Sequence, residues 1–83
     1  MRCEREDIFK FIVKTILGTL NYPKKTIDYD SNFVWDIGMN SIDFMRMISE
    51  IEEEYDICYK FDEIVIDEVV DNVIDNVLMC MNN

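Results

Sequence analysis

The chain has 83 residues, 49% of them apolar, with eight bases, eighteen acids and no histidine, for a net charge of −10. That length holds one small core, so a single domain over 1–83 is expected, and the apolar share argues against disorder despite the charge. Lack of imidazole removes most hydrolase and zinc chemistry, no run nears the ~18–20 apolar residues that span a bilayer, and the acidic balance repels nucleic acid.

The charge is unevenly placed. Residues 1–25 hold six bases against three acids, whereas 26–83 hold fifteen acids against Arg46 and Lys60. Such a surface steers toward it a partner bearing a basic patch. The opening MRCEREDIF mixes both signs and leads into a segment broken by Lys10 and Lys14, unlike a secretory signal, which points to the cytoplasm. Cys3, Cys58 and Cys80 lie far apart and read as free thiols in a reducing compartment, with no metal site expected.

Over residues 5–20, Ile8, Phe9, Ile12, Ile16 and Leu20 recur at helical spacing, with Val13 and Leu17 alongside. Glu4, Glu6 and Asp7 suit a helix N-terminus, and Gly18 followed by Asn21-Tyr22-Pro23 marks its end. Residues 21–40 then predict a long loop, in which Phe33, Val34, Trp35 and Ile37 fold part of the chain back on the core. Asp28-Tyr29-Asp30-Ser31-Asn32 begins like an EF-hand loop, but Phe33 and Met39 stand where that loop needs glycine and a bidentate glutamate.

From Ser41 to about Tyr55 a second helix is predicted, with Phe44, Met47, Ile48, Ile51 and Tyr55 as its core stripe. Ile42 and Met45 fall off that stripe, either as ordinary exposed apolar residues or as partner anchors. Residues 57–66 permit a short strand or, at Phe61-Asp62-Glu63-Ile64, a single helical turn. Beyond them, aliphatic pairs recur every four residues from Val65 to Leu78, which predicts a third helix with Asp67 as a plausible N-cap. The fold class expected is all-α: a small bundle of three main helices and one short one, with a long first loop.

The chemistry concentrates at Asn40-Ser41-Ile42-Asp43. Asn40 suits an N-cap, Asp43 completes a capping-box-like pair, and Gly38 lets the chain turn into the helix. Ser41 then stands in the first turn, where unpaired N–H groups and the helix dipole favour a phosphate ester; simple capping by Ser41 is the plainer alternative. No histidine, Gly-x-Ser-x-Gly elbow or nearby lysine activates Ser41 as a nucleophile, so no catalytic residue is expected.

Asp36-Ile37-Gly38-Met39-Asn40-Ser41-Ile42-Asp43 and then Ile51-Glu52-Glu53-Glu54-Tyr55-Asp56-Ile57 resemble the acyl carrier protein signature, D-L-G-x-D-S-L-D followed at the same interval by L-E-E-E-F-D-I. Ser31-Asn32-Phe33-Val34 is similar to the family's loop segment, and the resemblance runs from about residue 7 to 78. It implies the same helical fold and a non-catalytic carrier, with Ser41 esterified by 4′-phosphopantetheine. A separate phosphopantetheinyl transferase would supply the group from coenzyme A, and its thiol would hold an acyl, aminoacyl or peptidyl cargo as a thioester. By position, Asn40, Ile42, Asp43, Met45, Glu52 and Glu53 match the surface on which loading and processing enzymes with basic patches dock. The protein is expected to be a monomer.

Asn40 replaces an aspartate usual in fatty-acid carriers, Arg46 an acid, Ser49 an apolar contact, and Trp35 a polar loop residue. These departures suit a specialised polyketide, peptide or aminoacyl pathway. The competing expectation is an acidic helical protein-interaction module in which Ser41 is unmodified.

Overall fold

A computed structural model describes residues 4–23, 26–59 and 68–82 of the chain. Helix α1 spans Glu4–Lys14, with its acids in the first turn and Lys14 in the last, as the helix dipole favours. At Thr15 the helix widens into a π-helical stretch, Thr15–Thr19, in which Leu20 N–H donates to Thr15 O at 2.9 Å. Thr15 is buried, and its hydroxyl is satisfied by donating to Phe11 O at 2.9 Å. Helical structure therefore runs as far as the apolar period predicts. Gly18 lies inside it, and the left-handed residue that follows is Asn21, at φ 59°.

The long connection contains a helical turn of its own, Phe33–Ile37. Asn32 caps it, its Oδ1 accepting from Val34 N–H at 2.9 Å and Trp35 N–H at 3.0 Å, while Asp36 returns a carboxylate to Asn32 N–H at 2.7 Å. Among the described residues the fold is thus three main helices and a short one, and that short one lies before α2. The Phe61–Ile64 turn considered from the sequence lies outside the described residues. Phe33 and Ile37 are buried while Trp35 between them is 77% exposed, so only part of this apolar cluster folds inward. Upstream, Ser31 N–H donates to Asp28 O at 3.1 Å and Asp28 N–H to Ser31 Oγ at 2.9 Å. The Asp-rich stretch closes on itself as a turn, and no group of three or more potential metal ligands occurs among the described residues.

Helix α2 is Ser41–Tyr55 and α3 is Val70–Met81. The sequence suggested Asp67 as the cap of the last helix. That residue lies outside the described ones, and α3 starts at Val70 after an extended Val69, with no side-chain cap. The loop replaces it: Val70 N–H donates to Ser31 O and Asp71 N–H to Tyr29 O, both at 2.9 Å. Phe33 N–H also reaches Glu68 O at 3.0 Å, beside an isolated antiparallel bridge between Asn32 and Val69.

Helix α1 packs on both α2 and α3. Ile8, Ile12 and Ile16 join Phe44, Met47, Ile48 and Ile51 of α2 and Val70, Val73, Ile74 and Val77 of α3 in one buried cluster. Phe33 meets Phe44 edge-on at 5.3 Å, fixing the turn before α2 to that helix, and Phe9 stacks on Tyr29 at 4.1 Å. Arg5 pairs with Asp71 and, at 2.6 Å, with Asp75, tying the start of α1 to α3. No helix among the described residues is long and apolar enough to cross a membrane.

Candidate functional site

The entry into α2 is built by three residues. Gly38 adopts φ 85°, a left-handed conformation that costs an L side chain, and so turns the chain out of the Phe33–Ile37 stretch. Met39 is buried and anchors the link, its N–H donating to Phe33 O at 2.8 Å. Asn40 is extended and caps α2, its Oδ1 accepting from Asp43 N–H at 2.8 Å.

Only that limb of the expected capping box forms. The Asp43 carboxylate turns instead to Tyr22, whose hydroxyl donates to Oδ2 at 2.7 Å. Its other oxygen meets Arg46 at 4.0 Å. Burial, then the bond to Asp43 and its charge, push the Tyr22 phenol above its ordinary pKa. Tyr22 thereby pins the end of the first helical stretch to the start of α2. Nothing local to either residue announces this contact, which spans 21 positions of sequence.

Ser41 is the first residue of α2 and is exposed. Asn40 takes up the N–H groups of Asp43 and Phe44 through Oδ1 and the backbone oxygen, so the earlier N–H groups of Ser41 and Ile42 have no helical acceptor. An ester phosphate on this hydroxyl would meet those donors and the positive end of the helix dipole. Space is available as well. Ser41, Ile42 and Met45 line an open groove of about 660 Å³ with Thr19, Arg46 and Ser49, and with Glu50 beyond them. The chemistry and the room suit a phosphodiester-linked chain.

The other residues singled out from the sequence fall into two groups. Ile42 is 72% exposed, and Met45 is half-buried, packing partly on the core. Glu52 and Glu53 lie eleven and twelve residues along α2, about 16–18 Å from Ser41 at the usual helical rise. Glu53 is exposed, whereas Glu52 is half-buried and accepts from Tyr59 N–H at 2.9 Å, holding the chain after α2. The tyrosine ring is buried in turn, its phenol raised to about 12 mainly by burial, and its oxygen accepts from Asn76 Nδ2 at 3.0 Å. Thr19 and Tyr22 belong to the surroundings of Ser41 and were not foreseen, because their proximity is created by tertiary packing, whereas Glu50 joins the groove from farther along α2 itself. Cys58 and Cys80 are free, and neither lines the groove.

A family model described as a phosphopantetheine attachment site matches residues 10–71. No solved structure matches the chain significantly. The matched span covers most of the sequence and takes in α2, its capped entry and the turn that leads to it. The chain therefore belongs to the phosphopantetheine-binding carrier-protein family, non-catalytic proteins that bear covalent 4′-phosphopantetheine and serve partner enzymes.

Proposed function

We propose that Ser41 is the attachment residue and that the protein carries an acyl, aminoacyl or peptidyl group in a specialised biosynthetic pathway of the cytoplasm. The observation that carries the attachment is the exposed Ser41 hydroxyl at the start of α2, beside an open groove and within the matched span. In loading, a new bond joins Ser41 Oγ to phosphorus and the pyrophosphate link of coenzyme A breaks. The adenosine bisphosphate leaves with the bonding pair, and the hydroxyl proton goes to the transferase or solvent. The arm supplies a terminal thiol for the thioester; the chain supplies a fixed anchor and a surface for handling.

That surface is the outward face of α2. Ile42 and Met45 offer apolar contact near Ser41, with Asn40 and Asp43 at the helix entry and Glu52 and Glu53 near its end. The acidic half of the chain suits partners with basic patches. Arg46 and Ser49 on this face, and the exposed Trp35 in the turn before it, differ from a fatty-acid carrier, which favours a dedicated set of partners.

Incubation with coenzyme A and a broad-specificity transferase is expected to add one phosphopantetheine mass to the wild type and none to Ser41→Ala. Mass gained by Ser41→Ala would move the attachment elsewhere. No gain with several transferases would remove the proposal.

A further inference from the structure

We propose that the groove on the Thr19 side of α2 is a resting site for the phosphopantetheine arm, with Arg46 pairing with its phosphodiester; this rests on the assignment of Ser41. The groove begins at the anchor itself, because Ser41 is one of its walls. It continues along α2 to Glu50, nine residues on or about 13–14 Å at the usual helical rise. A tethered chain leaving Ser41 therefore has the groove within immediate reach.

Among the described residues Arg46 is the base in this groove, and it is the one base on an otherwise acidic helix. Its side chain is 61% exposed, and its ion pair with Asp43 is long at 4.0 Å, while Asp43 is already bonded by Tyr22 at 2.7 Å. Helical side chains lean toward the N-terminus, and the contact of Arg46 with a residue three positions earlier has that direction. The guanidinium thus lies on the Ser41 side of its own backbone, with donors to spare for a phosphodiester oxygen. The remaining walls match the rest of the arm in kind. Ile42 and Met45 present apolar surface to its dimethyl-bearing carbon, and the Thr19 and Ser49 hydroxyls are partners for its amides.

Each contact is exposed and weak alone. The tether supplies an effective concentration on the order of millimolar, so a weak local affinity suffices for frequent occupancy. The resting arm would also lie over Ile42 and Met45, two of the side chains offered to partners. Docking would then compete with the resting position and lift the arm outward.

The test compares unloaded and loaded protein by amide chemical shifts and by the single phosphodiester ³¹P resonance. Loading is expected to shift the amides of Thr19, Met45 and Ser49 as well as those next to Ser41. In Arg46→Gln the Thr19 and Ser49 shifts are expected to be lost and the ³¹P resonance to move. Ser49→Trp, which fills the groove from an exposed position, is expected to abolish the Thr19 shift in protein whose loading has been driven to completion. Shifts confined to the neighbours of Ser41, with identical ³¹P positions in wild type and Arg46→Gln, would overturn the resting site alone. Loading shifts centred on α3 would overturn it too, by placing the arm elsewhere. A protein that gains no phosphopantetheine mass would overturn the attachment reading first, and the resting site with it.

Discussion

The two oxygens of Asp43 are unequally engaged: Oδ2 takes the Tyr22 hydroxyl at 2.7 Å, while Oδ1 sees Arg46 only at 4.0 Å. A carboxylate bonded in this way offers a docking partner less than a free one, so the charge of this face falls more on Glu53, which is exposed. Tyr22 also does structural work, since a half-buried hydrogen bond to a carboxylate closes the end of the first helical stretch onto α2. Tyr22→Phe is expected to destabilise the protein by about 1 kcal/mol at neutral pH, less than is usual for a bond to a charged group because the site is partly wet. The sign of its pH dependence follows from the raised phenol. The stabilisation is complete below the ordinary value of 10.0 and is lost as pH rises through the higher value of the folded protein. Urea unfolding of wild type and variant at neutral and alkaline pH should therefore show a gap that narrows above pH 10. A gap of constant size would mean that ionisation of the Tyr22 phenol is not linked to folding, against the raised value.

At the level of elements, the start of α3 shows where sequence reasoning stops. Its first N–H groups are satisfied by the carbonyls of Ser31 and Tyr29, about forty residues earlier, so no capping side chain is needed. A local search for Ser, Thr, Asp or Asn had only Asp67 to offer. The helical stripes of α1 and α2 were legible because a period of 3.6 residues is a local signal, and Ile8, Ile12, Phe44, Met47, Ile48 and Ile51 are indeed buried. Ser41 and its Asn40 cap were legible for the same reason, and the carrier motif around them stood in one continuous stretch. Thr19 and Tyr22 were not, since each reaches that neighbourhood through packing of one helical stretch on another. Gly18 and Gly38 carry the same contrast into a measurable form. An added Cβ meets nothing within 4 Å at either position, so backbone conformation alone decides the outcome. Gly18 is helical without positive φ, and Gly18→Ala is expected to stabilise by about 0.5–1 kcal/mol. Gly38 is at φ 85°, and Gly38→Ala is expected to destabilise by about 1–2 kcal/mol. Denaturant midpoints of opposite displacement check both; equal signs would show that one of these turns is not built as described.

For the molecule as a whole, one charge distribution is asked to do two things that conflict. A net charge of −10 on 83 residues favours encounter with basic partners and opposes compactness through self-repulsion. The structure offsets part of that repulsion where the basic start of the chain meets the acidic end, through Arg5 with Asp71 and Asp75. These side chains are 37% to 59% exposed, so solvent screens the pairs and they do little to balance the remaining acids. Salt separates the two consequences, because screening over about 10 Å at 0.1 M weakens diffuse repulsion and long-range steering alike. The melting temperature is therefore expected to rise as sodium chloride increases from about 0.02 to 0.5 M, while the rate of loading by a transferase falls over the same range. Glu53→Lys should reproduce both trends at fixed low salt, by removing repulsion and misdirecting the partner together. A melting temperature that falls with salt would mean that the Arg5 pairs outweigh the repulsion among the acids. A loading rate indifferent to salt, with the melting temperature still rising, would leave the charge as a burden on the fold and assign recognition to the apolar residues Ile42 and Met45.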